Sequence, residues 1–172
     1  MAVGKIFIIL GALLSILGTY VFAIYGAVGT VGSGIGFILN TIGGGFLDPT
    51  LIAGASTYAT ILGIEVWLFY TLLVLFIIFL VAGILQLVGL KSRVIGLIFS
   101  LFPLCIGVLF ILVFYTEILG VISGSFAFFF IGEQFGDIFP ILLDIGDGVG
   151  LGAFFLLGGG ALGLIGCILP RD

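Results

Sequence analysis

The chain has 172 residues, of which 63% are hydrophobic and only 7% are charged, with a net charge of −4. Soluble domains carry about 25% charged residues, so a water-covered globular fold is excluded. There is no histidine, and both cysteines lie inside apolar runs, which excludes histidine-ligated haem, copper and zinc and any four-cysteine centre within this chain alone.

Runs of about 20 apolar residues suffice to cross a hydrocarbon core of roughly 30 Å, and four such runs are present. The expected fold is an all-α integral membrane protein, one domain over residues 1–172. Its spans lie at about 3–26, 61–90, 94–116 and 149–169, paired as two hairpins. The four bases, Lys5, Lys91, Arg93 and Arg171, all fall at one side of these spans. Seven of the eight acids fall at the other: Asp48, Glu65, Glu117, Glu133, Asp137, Asp144 and Asp147. Lys and Arg favour cytoplasmic loops. Both termini and the 91–93 turn are therefore expected in the cytoplasm, with the plasma membrane as the site. Segments 27–60 and 117–148 then face outward. No basic patch suggests nucleic acid as a partner.

The first span is too long for a signal-peptide core and lacks a small-x-small cleavage site, so it reads as a retained helix. Gly4, Gly11 and Gly18 recur every seven residues along it. A stripe of small residues lets helix backbones approach closely. In the first outer segment Asp48-Pro49 reads as an N-cap followed by proline at the first helical position, with a break expected near Gly63 before the second span. Gln86 is the one amide within the spans. Pro103 predicts a bend in the third.

The second outer segment holds Phe126, Phe128, Phe129, Phe130, Phe135 and Phe139 within fourteen residues. Exposed loops do not carry that much apolar surface without covering it. The segment is expected to lie as short interfacial or re-entrant helices or to pack on another protein. If it is helical, Glu133 and Asp137 share a face at i,i+4 and form an outer acidic face. Asp144-Ile-Gly-Asp147-Gly148 offers two carboxylates and a flexible turn that suit Ca²⁺. The alternative is that Asp147 caps the fourth span. That span contains seven glycines, with Gly159 and Gly163 as a GxxxG pair. Its partner is the first span, another copy, or both.

Four spans with both ends inside are a topology shared with claudins, tetraspanins, MARVEL proteins and connexin-like channels. The resemblance stops there. Neither the claudin Trp…Gly-Leu-Trp…Cys…Cys pattern nor the tetraspanin Cys-Cys-Gly is present, and topology alone carries no function across.

No nucleophile–base pair or cofactor fingerprint suggests an enzyme, and no ionisable group falls at mid-membrane, where transport residues lie. The expected role is a structural or accessory subunit acting by packing. Its interface would be built from Gly4, Gly11, Gly18, Gly159, Gly163 and the six phenylalanines. Its partners would be membrane lipids and other copies or other membrane subunits, with bound lipid expected and Ca²⁺ as the one candidate ion. The rival reading is an oligomeric pore with outer acidic rings selecting cations.

Overall fold

The computed structural model describes residues 3–27, 29–42, 52–120 and 122–170. It is mostly helical, with four helical stretches long and apolar enough to span a membrane: Val3–Val21, Val66–Leu90, Arg93–Tyr115 and Leu151–Ile168. The first comprises α1 (Val3–Ile16) and a π-helical turn, Leu17–Val21. It ends five residues earlier than composition predicts, because Tyr25–Ala27 is a strand. A short helix α2 (Gly34–Ile42) follows, its first turn held by Ser33 Oγ, which accepts from Gly36 N at 3.0 Å. The expected helix start at Asp48-Pro49 lies outside the described residues.

Next come α3 (Ile52–Leu62) and α4 (Val66–Leu85), separated at Gly63, whose φ of 65° ends the first helix. The second span therefore begins at 66, and residues 61–62 belong to the shorter helix. A 3₁₀ segment, Gln86–Leu90, tightens its last turns. Ser92 then caps α5 (Arg93–Tyr115) by accepting from Ile95 N at 3.5 Å, and Pro103 sits buried within that helix. The short α6 (Ile122–Phe130) and the fourth span α7 (Leu151–Ile168) complete the helices among the described residues.

One feature of the fold is not helical. The connections after the first and third spans both contribute to a five-stranded antiparallel sheet of short strands, where composition predicts helices alone. β1 (Tyr25–Ala27) and β2 (Thr30–Gly32) come from the first segment. β3 (Ile131–Gly132), β4 (Asp144–Gly146) and β5 (Val149–Gly150) come from the second. The order β3-β2-β1-β5-β4 interleaves the two: β2 pairs with β3, and β1 with β5. The sheet ties the two hairpins together at one end of the bundle. At the other end, Gly4 N donates to Pro170 O at 3.2 Å. There, too, a Cβ on Gly89 would lie 2.9 Å from Gly96 Cα and 3.3 Å from Cys167 Sγ. Lys5, Lys91 and Arg93 share this end, away from the sheet.

The central helix is α7, and glycine makes it so. A Cβ on Gly4 would lie 2.8 Å from Gly166 O, one on Gly11 2.6 Å from Gly159 O, and one on Gly18 2.7 Å from Gly152 O. Contacts this short leave no room for a side chain. The seven-residue series along the first span thus meets a second seven-residue series, 152, 159 and 166, running the other way. On its opposite side α7 closes on α5. A Cβ on Gly160 would lie 2.5 Å from Leu104 N, and one on Gly107 2.5 Å from Leu157 N. Without a hydrophobic drive between helices in lipid, such backbone approach is what holds them.

Toward the sheet, aromatic side chains pack between α4, α5 and the short helices. Phe37 of α2 and Phe129 and Phe130 of α6 are fully buried with Phe69, Phe76, Phe79 and Phe110. The Phe130 ring lies 4.8 Å from Phe76, 5.3 Å from Phe110 and 5.9 Å from Phe79. At 1.5 Å per residue Phe76 and Phe79 are roughly 15 and 20 Å along α4 from Val66. The short helices α2 and α6 therefore dip well between the spans.

Candidate functional site

Two arrangements bring polar chemistry together, one inside the bundle and one at the sheet end. The inner one is built on Gln86. Its side chain is fully buried. Gln86 Oε1 accepts from Ser15 Oγ at 3.0 Å, and its Nε2 donates to Gly159 O at 2.9 Å. Ser100 Oγ and Gln86 Nε2 both occupy the space that a side chain at Gly163 would need. All four spans thus meet at one amide, and Gly11, Gly159 and Gly163 are the gaps into which it fits. Unpaired polar groups in hydrocarbon cost several kcal/mol, so the bonds to Ser15 and Gly159 make the residue tolerable there. Sequence shows Gln86 as an isolated amide. The signals that could have placed it are Ser15 and Ser100 at comparable depth on neighbouring spans.

The second arrangement rests on the sheet. After β3 the chain makes a closed turn in which Phe135 N donates to Phe139 O at 2.6 Å and Phe139 N to Phe135 O at 3.2 Å. Gln134 Nε2 donates to Pro140 O at 2.8 Å across its base. Asp137 takes φ = 58° at its tip, a left-handed conformation that aspartate tolerates better than most residues. The turn presents apolar side chains to the surroundings: Phe135 is 55% exposed and Ile138 72%. Glu133 and Asp137 line one hollow of about 350 Å³ with Thr30, Gln134 and Leu142. The two acids come together through this turn and not on a helix face.

The six clustered phenylalanines divide. Phe129 and Phe130 are enclosed within the chain, and Phe126 and Phe128 are half-buried against Phe76 and Tyr58. Phe135 and Phe139 are exposed. The apolar surface at the sheet end is thus narrower than the sequence suggests and shifts toward Ile138, Leu143 and Ile145, all exposed. Gly4, Gly11, Gly18 and Gly159 are likewise occupied within the chain, between α1 and α7, and Gly163 against Gln86. They are not available as a surface for another copy in this fold.

Asp144 and Asp147 belong to the β4–β5 hairpin. Asp144 Oδ1 accepts from Gly146 N at 2.8 Å, and Asp147 occupies the turn at φ = 52°. Asp147 does not cap the fourth span; Gly150 stands at that N-cap, with no side-chain bond to the helix. Glu65, Glu117, Glu133, Asp137, Asp144 and Asp147 are all exposed at the sheet end, and Lys91 and Arg93 are exposed at the other. Asp48 and Arg171 lie outside the described residues.

Tyr25 joins the sheet to the bundle. Its ring is buried, stacked 5.5 Å from Phe110 and 5.2 Å from Phe114, and its hydroxyl donates to Ala127 O at 2.5 Å. Burial pushes its pKa well above the ordinary tyrosine value. The fold is that of a helical membrane protein in which the connections after the first and third spans share one sheet. No protein-family model, curated protein or solved structure matches the chain.

Proposed function

We propose that this protein is a structural or accessory subunit of a larger membrane assembly, acting by packing rather than by catalysis. Other copies of itself or other membrane subunits would be its partners. The observation that carries the reading is the turn Phe135–Phe139. Apolar side chains stand exposed on a hydrogen-bonded support, beside the hollow lined by Glu133 and Asp137. Rigid apolar anchors with a polar rim are what protein interfaces use. The positive-inside rule supports placing the Lys91–Arg93 end in the cytoplasm and the sheet outside, at the plasma membrane.

The glycine contacts between α1, α7 and α5 bring backbones too close for a water-filled lumen along their seams. A pore reading therefore requires several copies around a shared axis, with Glu133 and Asp137 as its acidic ring. Gentle-detergent extraction followed by mass measurement tests the main reading. A species well above 18.0 kDa is expected, reduced in size by Ile138→Glu. A monomer from native membranes would refute it. Cation flux through reconstituted protein that disappears in Glu133→Gln/Asp137→Asn would instead favour the pore.

A further inference from the structure

A groove of about 410 Å³ runs along the bilayer-facing side of the α4–α5 hairpin. Its floor follows α5 from Ile98 through Leu101 to Leu109, Leu72 and Phe76 of α4 form the far wall, and Phe126 of α6 lies across its sheet end. Every lining residue is apolar, and Ile98 and Leu101 among them are exposed. Such a surface offers no donor or acceptor to a polar ligand, and both walls are membrane-spanning helices.

Three observations identify the occupant. From Ile98 to Leu109 the groove is roughly 16 Å long at 1.5 Å per residue, about half of a hydrocarbon core of roughly 30 Å. That is the depth of one leaflet. It begins only five residues, roughly 8 Å, past Arg93. Arg93 and Lys91 are both exposed at that end, while the described acids lie at the opposite end of the bundle. The charge at the mouth is thus complementary to an anion, and the hollow above it to a hydrocarbon chain.

We propose that this groove holds one acyl chain of an anionic phospholipid whose phosphate rests on Lys91 and Arg93. Phe126 stops the chain at the sheet end, and the two bases select the headgroup. The inference stands on the membrane-spanning hairpin alone and does not depend on the packing role proposed above.

The test uses purified full-length protein in nanodiscs, where both faces are accessible and insertion direction does not affect the result. Phosphatidylglycerol carrying a photoactivatable acyl chain is crosslinked and the adducts are mapped by mass spectrometry. The labelled choline lipid serves as comparison. Adducts should concentrate on the Ile98–Leu109 face and on Leu72 to Phe76, with roughly thirtyfold preference for the anionic lipid, as two bases at a membrane surface provide. Lys91→Gln/Arg93→Gln should abolish the preference while leaving labelling in the groove. Cys105→Trp, a change at an exposed residue lining the groove, should block the groove without altering thermal unfolding. Leu101→Phe provides a second blocking variant should the tryptophan not be tolerated. Labelling spread evenly over the lipid-facing sides of all four spans would overturn the proposal, as would equal use of both lipids. A disulfide between Cys105 of two copies, formed in high yield, would show that another protein occupies the groove.

Discussion

Gln86 sets an amide among four apolar helices, and the residues opposite it are shaped to receive it. Gln86→Met keeps the length and removes both hydrogen bonds. Interhelical bonds of this kind contribute on the order of 1 kcal/mol in membranes, so thermal unfolding in detergent should fall by that much. Gly163→Ala should cost more, because its methyl would displace the amide and Ser100 together. An unchanged melting curve in both would remove the junction. Tyr25 makes a prediction about pH. Its folded pKa is raised, so the folded state holds the proton more tightly than the unfolded chain, which releases it near pH 10. Stability is therefore complete below about pH 10 and declines above it. Tyr25→Phe should lose about 1 kcal/mol at neutral pH with its bond to Ala127, yet show a shallower alkaline decline. Unfolding scans across this range give both values.

Among the elements, α7 is the one that the others need. It carries glycines toward α1 on one face and toward α5 on another, and either contact fails if a side chain is added. Gly159→Leu or Gly11→Leu is expected to destabilise the single chain by about 1–3 kcal/mol or more, the range for overpacked contacts. A variant that melted normally but lost only its association with other copies would mean that the seam is intermolecular, contrary to this fold. The short helix α6 is held by its aromatic side chains. Phe129→Ala should cost about 3–5 kcal/mol, as buried aromatic truncations do. Phe135→Ala, at an exposed ring, should change stability by less than about 0.5 kcal/mol.

At the level of the whole molecule, charge and shape divide the protein into two ends. The sheet end gathers the described acids and exposed apolar side chains, and the opposite end the described bases. If the sheet end is the docking surface, Ile138→Glu should dissociate the assembly while the subunit itself unfolds as before. Native mass spectrometry and a melting curve on the same sample separate the two effects. Simultaneous loss of both would mean that the turn supports the fold and not a partner.

Four apolar runs, a polar hinge at residues 91–93 and a break at Gly63 were legible because hydrophobicity and backbone chemistry are local. So was the seven-residue glycine series of the first span, which reports that something must approach closely. What approaches was not legible. The matching series in α7 runs antiparallel, and pairing depends on how the chain folds back. The phenylalanines between 126 and 139 look alike in sequence. Only the position of α6 between α4 and α5 decides that Phe129 and Phe130 fill the core and Phe135 faces out. The sheet escaped composition because its strands are two or three residues long, too short for an alternating pattern, and its two hairpins join across more than a hundred residues of chain. Local chemistry determined the spans; long-range packing decided which residues remain free to meet a partner.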